Sequence, residues 1–231
     1  MMTTKQRKAK NAYERERRRL HRIHAFENAA RAKGFVYVGG VDEVGRGPLA
    51  GPVVAACVVA AEPLMFRGLN DSKQVPPPLR VELAEKIKTA CSAWGIGVAS
   101  VEEIDRLNIY WASVLAMERA IAALSVAPQY LITDAVRIRS FSGPQEPLIK
   151  GDARSATVAA ASIVAKVYRD NLLVELHEVD PRYGFADHKG YATPEHLRAL
   201  KEFGPSPHHR SGWWRVREAQ LQFGFDAVAV E

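Results

Sequence analysis

Short apolar runs alternating with amphipathic stretches set out the plan of this chain. The runs Val36 to Val38 and Val53 to Ala60 are β-branched and bounded by glycine and proline, which predicts a strand, a turn and a second strand. Leu79 to Cys91 places Leu79, Leu83, Ile87 and Cys91 four apart, which predicts a helix. Trp94 to Val101 alternates small and apolar residues and predicts a third strand. Ile109 to Leu124 has the pattern of a helix, with Trp111 and Met117 expected in the core. Gln129 to Thr133 reads as a buried strand ending in Asp134. Ser155 to Val179 predicts a long alanine-rich helix, small enough along its length to lie close against a sheet. From Asp180 the chain breaks into short pieces, with helices predicted over Pro194 to Phe203 and near Trp214 to Phe223. Strands and helices alternate, so the expected fold class is α/β, a sheet with helices packed on it.

Two stretches fall outside that alternation. Residues 1–33 have helical composition but few large apolar positions; Leu20, Ile23 and Phe26, three apart, form one weak stripe suited to docking the second half. Gly34 ends the stretch. The expected organisation is a basic extension over 1–33, helical or partly disordered, a catalytic domain over 34–180, and a helical C-terminal part over 181–231. The second stretch, Glu62 to Pro78, contains LNDSKQVPPP. It has turn chemistry at Asn70-Asp71-Ser72 and three prolines that forbid regular structure. A connection this long in a compact domain is often functional.

Composition changes the picture little, and charge changes it more. The chain has 231 residues, 47% hydrophobic and 25% charged, as an ordinary globular protein with a real core has. No apolar run approaches the roughly 18 residues of a membrane span, and no apolar segment follows the basic N-terminus as in a secretory signal. Cys57 and Cys91 have no metal or redox spacing and read as buried thiols, so a cytoplasmic protein without membrane contact is expected. The formal charge of +6 is uneven: residues 1–33 hold eleven Lys/Arg against three Glu, leaving the rest slightly acidic. Such an arm either holds nucleic acid through its phosphates or is a solvated extension, and its composition fits both.

The candidate chemistry lies in four acids. Asp42 and Glu43 stand at a strand end beside the glycine-rich turn Gly45-Arg46-Gly47. Asp134 ends another strand, and Asp152 precedes the long helix. In α/β sheets, ligand sites gather beyond the strand carboxyl ends. One aspartate there is ordinarily a turn residue, but four with a glycine-rich loop beside the first pair fit a metal site better. Acids converging repel unless they bind cations, and oxygen-only ligands select Mg²⁺ or Mn²⁺. A pair of such ions about 4 Å apart activates water and stabilises a leaving oxygen, which is phosphodiester hydrolysis chemistry. Lys73 is a candidate phosphate ligand or an exposed surface lysine. Glu102, Glu103 and Asp105 read as helix-start residues. The spacings of His177, His188, His196, His208 and His209 match no metal signature, and surface or phosphate-facing positions are expected.

With those residues in view, the chain resembles the ribonuclease HII family. DEVGRGPLAGPVVAA at 42–56 looks like its signature. The resemblance continues through LNDSK at 69–73, EEID at 102–105 with NI at 108–109, AM at 116–117, and TD at 133–134. It runs on through KGD at 150–152, AAASIVAKVYRD at 159–170, HKGYAT at 188–193 and GPSPHHR at 204–210. It covers roughly residues 34 to 215. The resemblance implies a ribonuclease H-like mixed sheet flanked by helices, with a small helical C-terminal part completing the substrate cleft. It implies an endoribonuclease acting on RNA/DNA hybrids and on DNA duplexes with an embedded ribonucleotide. That enzyme would work as a monomer by a two-metal mechanism and remove ribonucleotides from DNA. Asp42, Glu43, Asp134 and Asp152 match the family's metal-binding acids. Gly45, Arg46 and Gly47 match the loop that reads the ribose 2′-hydroxyl, and Tyr191 matches the tyrosine that packs on the next sugar. Independently, glycine lets backbone approach a sugar, and the 2′-hydroxyl separates RNA from DNA. The sister enzyme ribonuclease HIII normally carries lysine where Arg46 stands and has a larger folded N-terminal domain than residues 1–33 allow. Two departures stand out: Asp134-Ala135 where Asp-Gly is usual, and Ser211-Gly212-Trp213 where a Ser-Phe pair is typical.

Overall fold

The computed structural model describes residues 3–222. Five strands form one mixed sheet: β1 (Val38–Val44), β2 (Val53–Ala60), β3 (Ala93–Ala99), β4 (Tyr130–Asp134) and β5 (Gln145–Leu148), in the order β3-β2-β1-β4-β5. β1 pairs antiparallel with β2 and parallel with β4. The eight residues of β2 are all buried because both faces of the sheet are covered. Val54, Ala56, Val58 and Ala60 face one core with α3 (Pro77–Ala90) and α6 (Ala156–Val179). Val53, Ala55, Cys57 and Val59 face the other, with α4 (Val101–Ala122). α6 presses on β1 so closely that a Cβ at Gly40 would lie 2.2 Å from the Thr157 carbonyl carbon. That contact needs the glycine.

The topology makes the site. β1 and β4 run in parallel, with Val41 opposite Thr133, so Asp42 and Asp134 come out level at the same sheet edge. The short helix α5 (Gly151–Arg154) follows β5 and brings Asp152 to that edge.

The N-terminal stretch forms α1 (Thr4–Ile23) and α2 (Ala25–Ala32). Leu20 and Ile23 are buried in the core shared with α6, and Phe26 packs against a separate cluster that includes Ala30 and Val158. Each buried side chain of this size contributes roughly 1.5–3 kcal/mol, which holds the second half of the stretch in place. Polar contacts add to it: Arg19 donates to the Leu69 carbonyl at 2.8 Å, and Glu16 accepts from the Gly68 N–H at 2.9 Å. The expected boundary after residue 33 therefore coincides with no break in packing. Only the first half of α1, Thr4 to Tyr13, stands out in solvent.

Several expectations are corrected. The segment around Pro147, for which no element is expected, contains β5, an edge strand, where a proline is tolerated. α4 begins at Val101, with Ser100 and Glu103 forming a capping box, and is broken at Asn108 (φ 69°, ψ 166°). The break hides its first turns from a periodicity reading. Met117 is buried as expected, but Trp111 is 44% exposed, under the Arg139 guanidinium. His196 and His209 are not surface residues: they are buried and share a 3.0 Å Nε2 to Nε2 contact, with His188 stacked on His196. The C-terminal part forms α7 (Phe185–His188), α8 (Pro194–Phe203) and α9 (Trp214–Gln222), packed around Tyr183 and Phe185. Phe223, expected in the last helix, lies outside the described residues. Among those described, no helix is long and apolar enough to cross a membrane.

Candidate active site

One cleft of about 260 Å³ is lined by all nine residues nominated from sequence: Asp42, Glu43, Gly45, Arg46, Gly47, Lys73, Asp134, Asp152 and Tyr191. Val44, Ser72 and Ser162 complete its wall. A larger and more apolar hollow of about 480 Å³ lies between Pro52, the start of α4 and the end of α6, but the four acids are not in it.

Asp42, Glu43 and Asp152 stand in a field that opposes their ionisation. Burial pushes the Asp42 carboxyl well above the usual carboxylate range; Glu43 adds to the effect, the Ser162 hydroxyl offsets it, and Asp134 and Asp152 add more. Burial also raises Glu43, with Arg46 at 3.2 Å acting the other way. Asp152 is raised by burial and then by Asp71 and Asp134, while Lys73 opposes the shift. Groups so placed favour a neutralising cation. Among the described residues no three Asp, Glu, His or Cys side chains close on a common point. Asp134 Oδ1 accepts instead from the Gly151 N–H at 2.7 Å, and Glu43 leans on Arg46. The fit to a metal rests on the donor set: it is all carboxylate oxygen, and Glu43 Oε2 is buried without a hydrogen-bond partner. Such donors suit a hard dication.

The glycine-rich loop is held from behind by two buried arginines that sequence reasoning alone does not single out. Arg169 donates to the carbonyls of Pro52 (3.0 Å), Lys189 (3.1 Å) and Ala50 (3.1 Å). Arg210 donates to Gly45 (2.6 Å), Arg46 (3.0 Å) and Gly51 (2.8 Å). Burial, and for Arg210 also the neighbouring Arg169 charge, lowers both guanidinium pKa values. Gly45 adopts φ +95°, and a Cβ there would lie 2.2 Å from Arg169 Nε, so the clamp requires glycine at that position. At Gly47 an added Cβ would meet only the Tyr191 ring, at 3.9 Å, so that face of the loop is open to the cleft. Tyr191 is 40% exposed, with Lys166 Nζ 5.8 Å from its ring centre. Both arginines lie in motifs visible in the sequence, but a buried arginine and a surface one are spelled alike. Ser72 and Ser162, joined at 3.0 Å, escape a sequence reading for the same reason.

The two departures have structural consequences. Ser211 donates to Asp105 from its hydroxyl (2.8 Å) and its N–H (3.0 Å), so its hydroxyl proton is already engaged. Ala135 adopts φ +56°, the left-handed region where a Cβ costs about 1–2 kcal/mol. Ala135→Gly relieves that strain but adds unfolded-state entropy of about 0.4–1 kcal/mol. It is expected to stabilise the protein by about 0.5 kcal/mol, read as a rise of about 1–2 °C in thermal midpoint. An unchanged or lower midpoint would show that the strain is absorbed elsewhere.

Similarity to known proteins follows the same lines. The fold matches the crystal structure of ribonuclease H2 from Pyrococcus horikoshii OT3 at a TM-score of 0.69 and 27% identity, covering 81% of this chain and 99% of that one. It also matches Bst-RNase HIII in complex with Mn²⁺ at a TM-score of 0.65 and 18% identity, a likeness of fold covering 88% and 72% of the two chains. The architecture is that of a ribonuclease H-like hydrolase. Within that class, the family model described as Ribonuclease HII matches residues 39–216. A ribonuclease HII from Pelotomaculum thermopropionicum is 51% identical over 204 residues, 87% of this chain and 77% of its own. The chain belongs to the ribonuclease HII family, nucleases that hydrolyse the RNA strand of RNA/DNA hybrids.

Proposed function

We propose that this protein cuts on the 5′ side of ribonucleotides joined to DNA, including single ones embedded in a duplex, and leaves 5′-phosphate and 3′-hydroxyl ends. The observation that carries this reading is the sharing of one cleft by the acids and the Gly45-Arg46-Gly47 loop. Asp42, Glu43, Asp134 and Asp152 would hold two Mn²⁺ or Mg²⁺ ions. Bound there, the ions supply activation of water and neutralisation of the leaving oxygen. The open face at Gly47 lets a sugar edge approach the backbone, and exposed Arg46 adds a donor beside it. Tyr191 offers a ring face for the following sugar, and Lys73 a cation for a nearby phosphate. This amounts to ribonucleotide removal from DNA by a cytoplasmic monomer, and two unpaired thiols agree with a reducing compartment. The test is an RNA/DNA hybrid offered with Mn²⁺, Mg²⁺ or EDTA, with end-group analysis of the products. Cleavage that persists in EDTA, or products with 3′-phosphates, would overturn the reading.

The basic arm belongs to the same proposal. α1 touches α5, which carries Asp152, and its docked half grips Gly68 and Leu69, just ahead of Ser72 and Lys73 in the cleft wall. The exposed half carries Lys5, Arg7, Lys8 and Lys10. Removing residues 1–13 is expected to weaken duplex binding and to flatten its salt dependence. The slope should fall by about one unit for each phosphate that is no longer neutralised, up to about four. Cleavage itself should survive. An unchanged slope in a binding titration from about 50 to 200 mM salt would make the arm a bystander. Deleting all of residues 1–33 is not a clean test, because it removes the buried Leu20, Ile23 and Glu27.

A further inference from the structure

Glu27 is a fully buried acid contributed by α2, far in sequence from the cleft. Its Oε1 accepts three hydrogen bonds from the start of α6: Ser155 Oγ at 2.6 Å, Thr157 N at 2.9 Å and Thr157 Oγ1 at 2.9 Å. A carboxylate taken out of water is costly unless donors replace the lost hydration. Here two hydroxyls and an amide at the positive end of a 24-residue helix donate to Oε1, while Oε2 is buried without a hydrogen-bond partner.

Helix formation does not require this contact. Ser155 already caps α6 by accepting from the Val158 N–H at 3.3 Å. What Glu27 adds is a tie between α2 and the joint where α5 meets α6. From that joint a short series of hydrogen bonds leads to the cleft. The Ser155 N–H donates to the Gly151 carbonyl at 2.8 Å, and the Gly151 N–H donates to Asp134 Oδ1 at 2.7 Å. Asp152 lies inside the turn that these bonds close. On the other side, the backbone of Thr157 is pressed on Gly40 of β1, with no room for a Cβ. The joint is therefore gripped from the sheet by β1 and from outside by Glu27.

We infer that Glu27 is a positioning residue, which sets the α5–α6 joint and through it the Asp152 and Asp134 carboxylates. The inference rests on the reading of those two acids as members of the cleavage site. It gives the N-terminal segment two separate duties, with exposed cations at one end for the duplex and a buried carboxyl group at the other for the geometry of the acids.

The test uses the full chain carrying Glu27→Ala or Glu27→Gln, assayed well below its thermal midpoint with a hybrid substrate. For Glu27→Ala, kcat is expected to fall by about 10- to 100-fold with KM changed less than about threefold, because the substrate-facing loops are untouched. Amide exchange should quicken over residues 150–158 and stay unchanged over β2. Glu27→Gln retains an acceptor oxygen and should fall between the two, which serves if the alanine variant does not fold. A folded Glu27→Ala with kcat within about twofold of wild type would overturn the inference. So would faster exchange spread evenly over the sheet. Asp152→Asn separates the two levels. If it remains active, the reading of the acids fails; if it is inactive while Glu27→Ala is normal, only the role of Glu27 fails.

Discussion

Asp134→Asn is expected to cleave at about one-thousandth of the wild-type rate or less, a rise of roughly 4 kcal/mol in the barrier, while duplex binding is kept. The substitution is nearly isosteric, and the asparagine oxygen can still accept from the Gly151 N–H that now meets Asp134 Oδ1 at 2.7 Å. The turn that carries Asp152 should therefore stay in place. What is lost is one negative charge in a cluster where burial already opposes ionisation of Asp42 and Glu43. Without it, the attraction for divalent ions falls and so does the chemistry that depends on them. Binding of the duplex is proposed to rely on cations and backbone elsewhere and should be equal or slightly tighter. Single-turnover cleavage beside a filter-binding or anisotropy titration separates the two effects. Full activity would remove Asp134 from the site; joint loss of binding and activity would mean that the loop itself had moved.

The second large effect is expected at a residue that touches no substrate. Arg210→Met takes a fully buried guanidinium away from the carbonyls of Gly45, Arg46 and Gly51. Each orphaned buried carbonyl costs about 1–3 kcal/mol, and part of this is returned because a buried cation no longer needs desolvation. A net loss of about 3–5 kcal/mol is expected, read as a fall of about 6–20 °C in thermal midpoint. The protein that remains folded should also discriminate less between ribose and deoxyribose at the cut, since the loop has lost its backing. Arg46→Ala is the contrast. Its guanidinium is half exposed and meets the largely buried Glu43 carboxylate at 3.2 Å; when it is removed, Glu43 can take up a proton, which limits the cost. It should impair discrimination with little change in midpoint. An Arg210→Met midpoint within about 2 °C of wild type would contradict the clamp.

Much of this architecture is legible in the sequence, and the failures share a physical cause. β2 stands out because a strand buried on both faces is a continuous apolar run. α6 stands out because a helix laid against a sheet needs alanine, serine and valine. Asp42, Glu43 and Asp134 are legible because acids at the ends of such runs share an edge once the strands are parallel, whereas Asp152 is marked by its place before the long helix. β5 is hidden because a short edge strand tolerates Pro147. The first turns of α4 are hidden by the break at Asn108. Polar residues with buried roles are the hardest to see. Arg169, Arg210 and Glu27 have partners far along the chain, the histidines His188 and His196 stack on one another, and composition cannot distinguish any of them from solvated residues. Trp111 shows the converse, an aromatic on a well-patterned helix whose core face lies elsewhere.

Residues 42–47 are proposed to join the chemistry to the reading of the sugar, and a 5′-labelled DNA duplex with one embedded ribonucleotide measures this directly. With Mn²⁺ the expected result is one cut on the 5′ side of that ribonucleotide, no cut in EDTA, and none in the all-deoxy duplex. A cut 3′ to the ribonucleotide, or cutting of the all-deoxy duplex at a comparable rate, would contradict it.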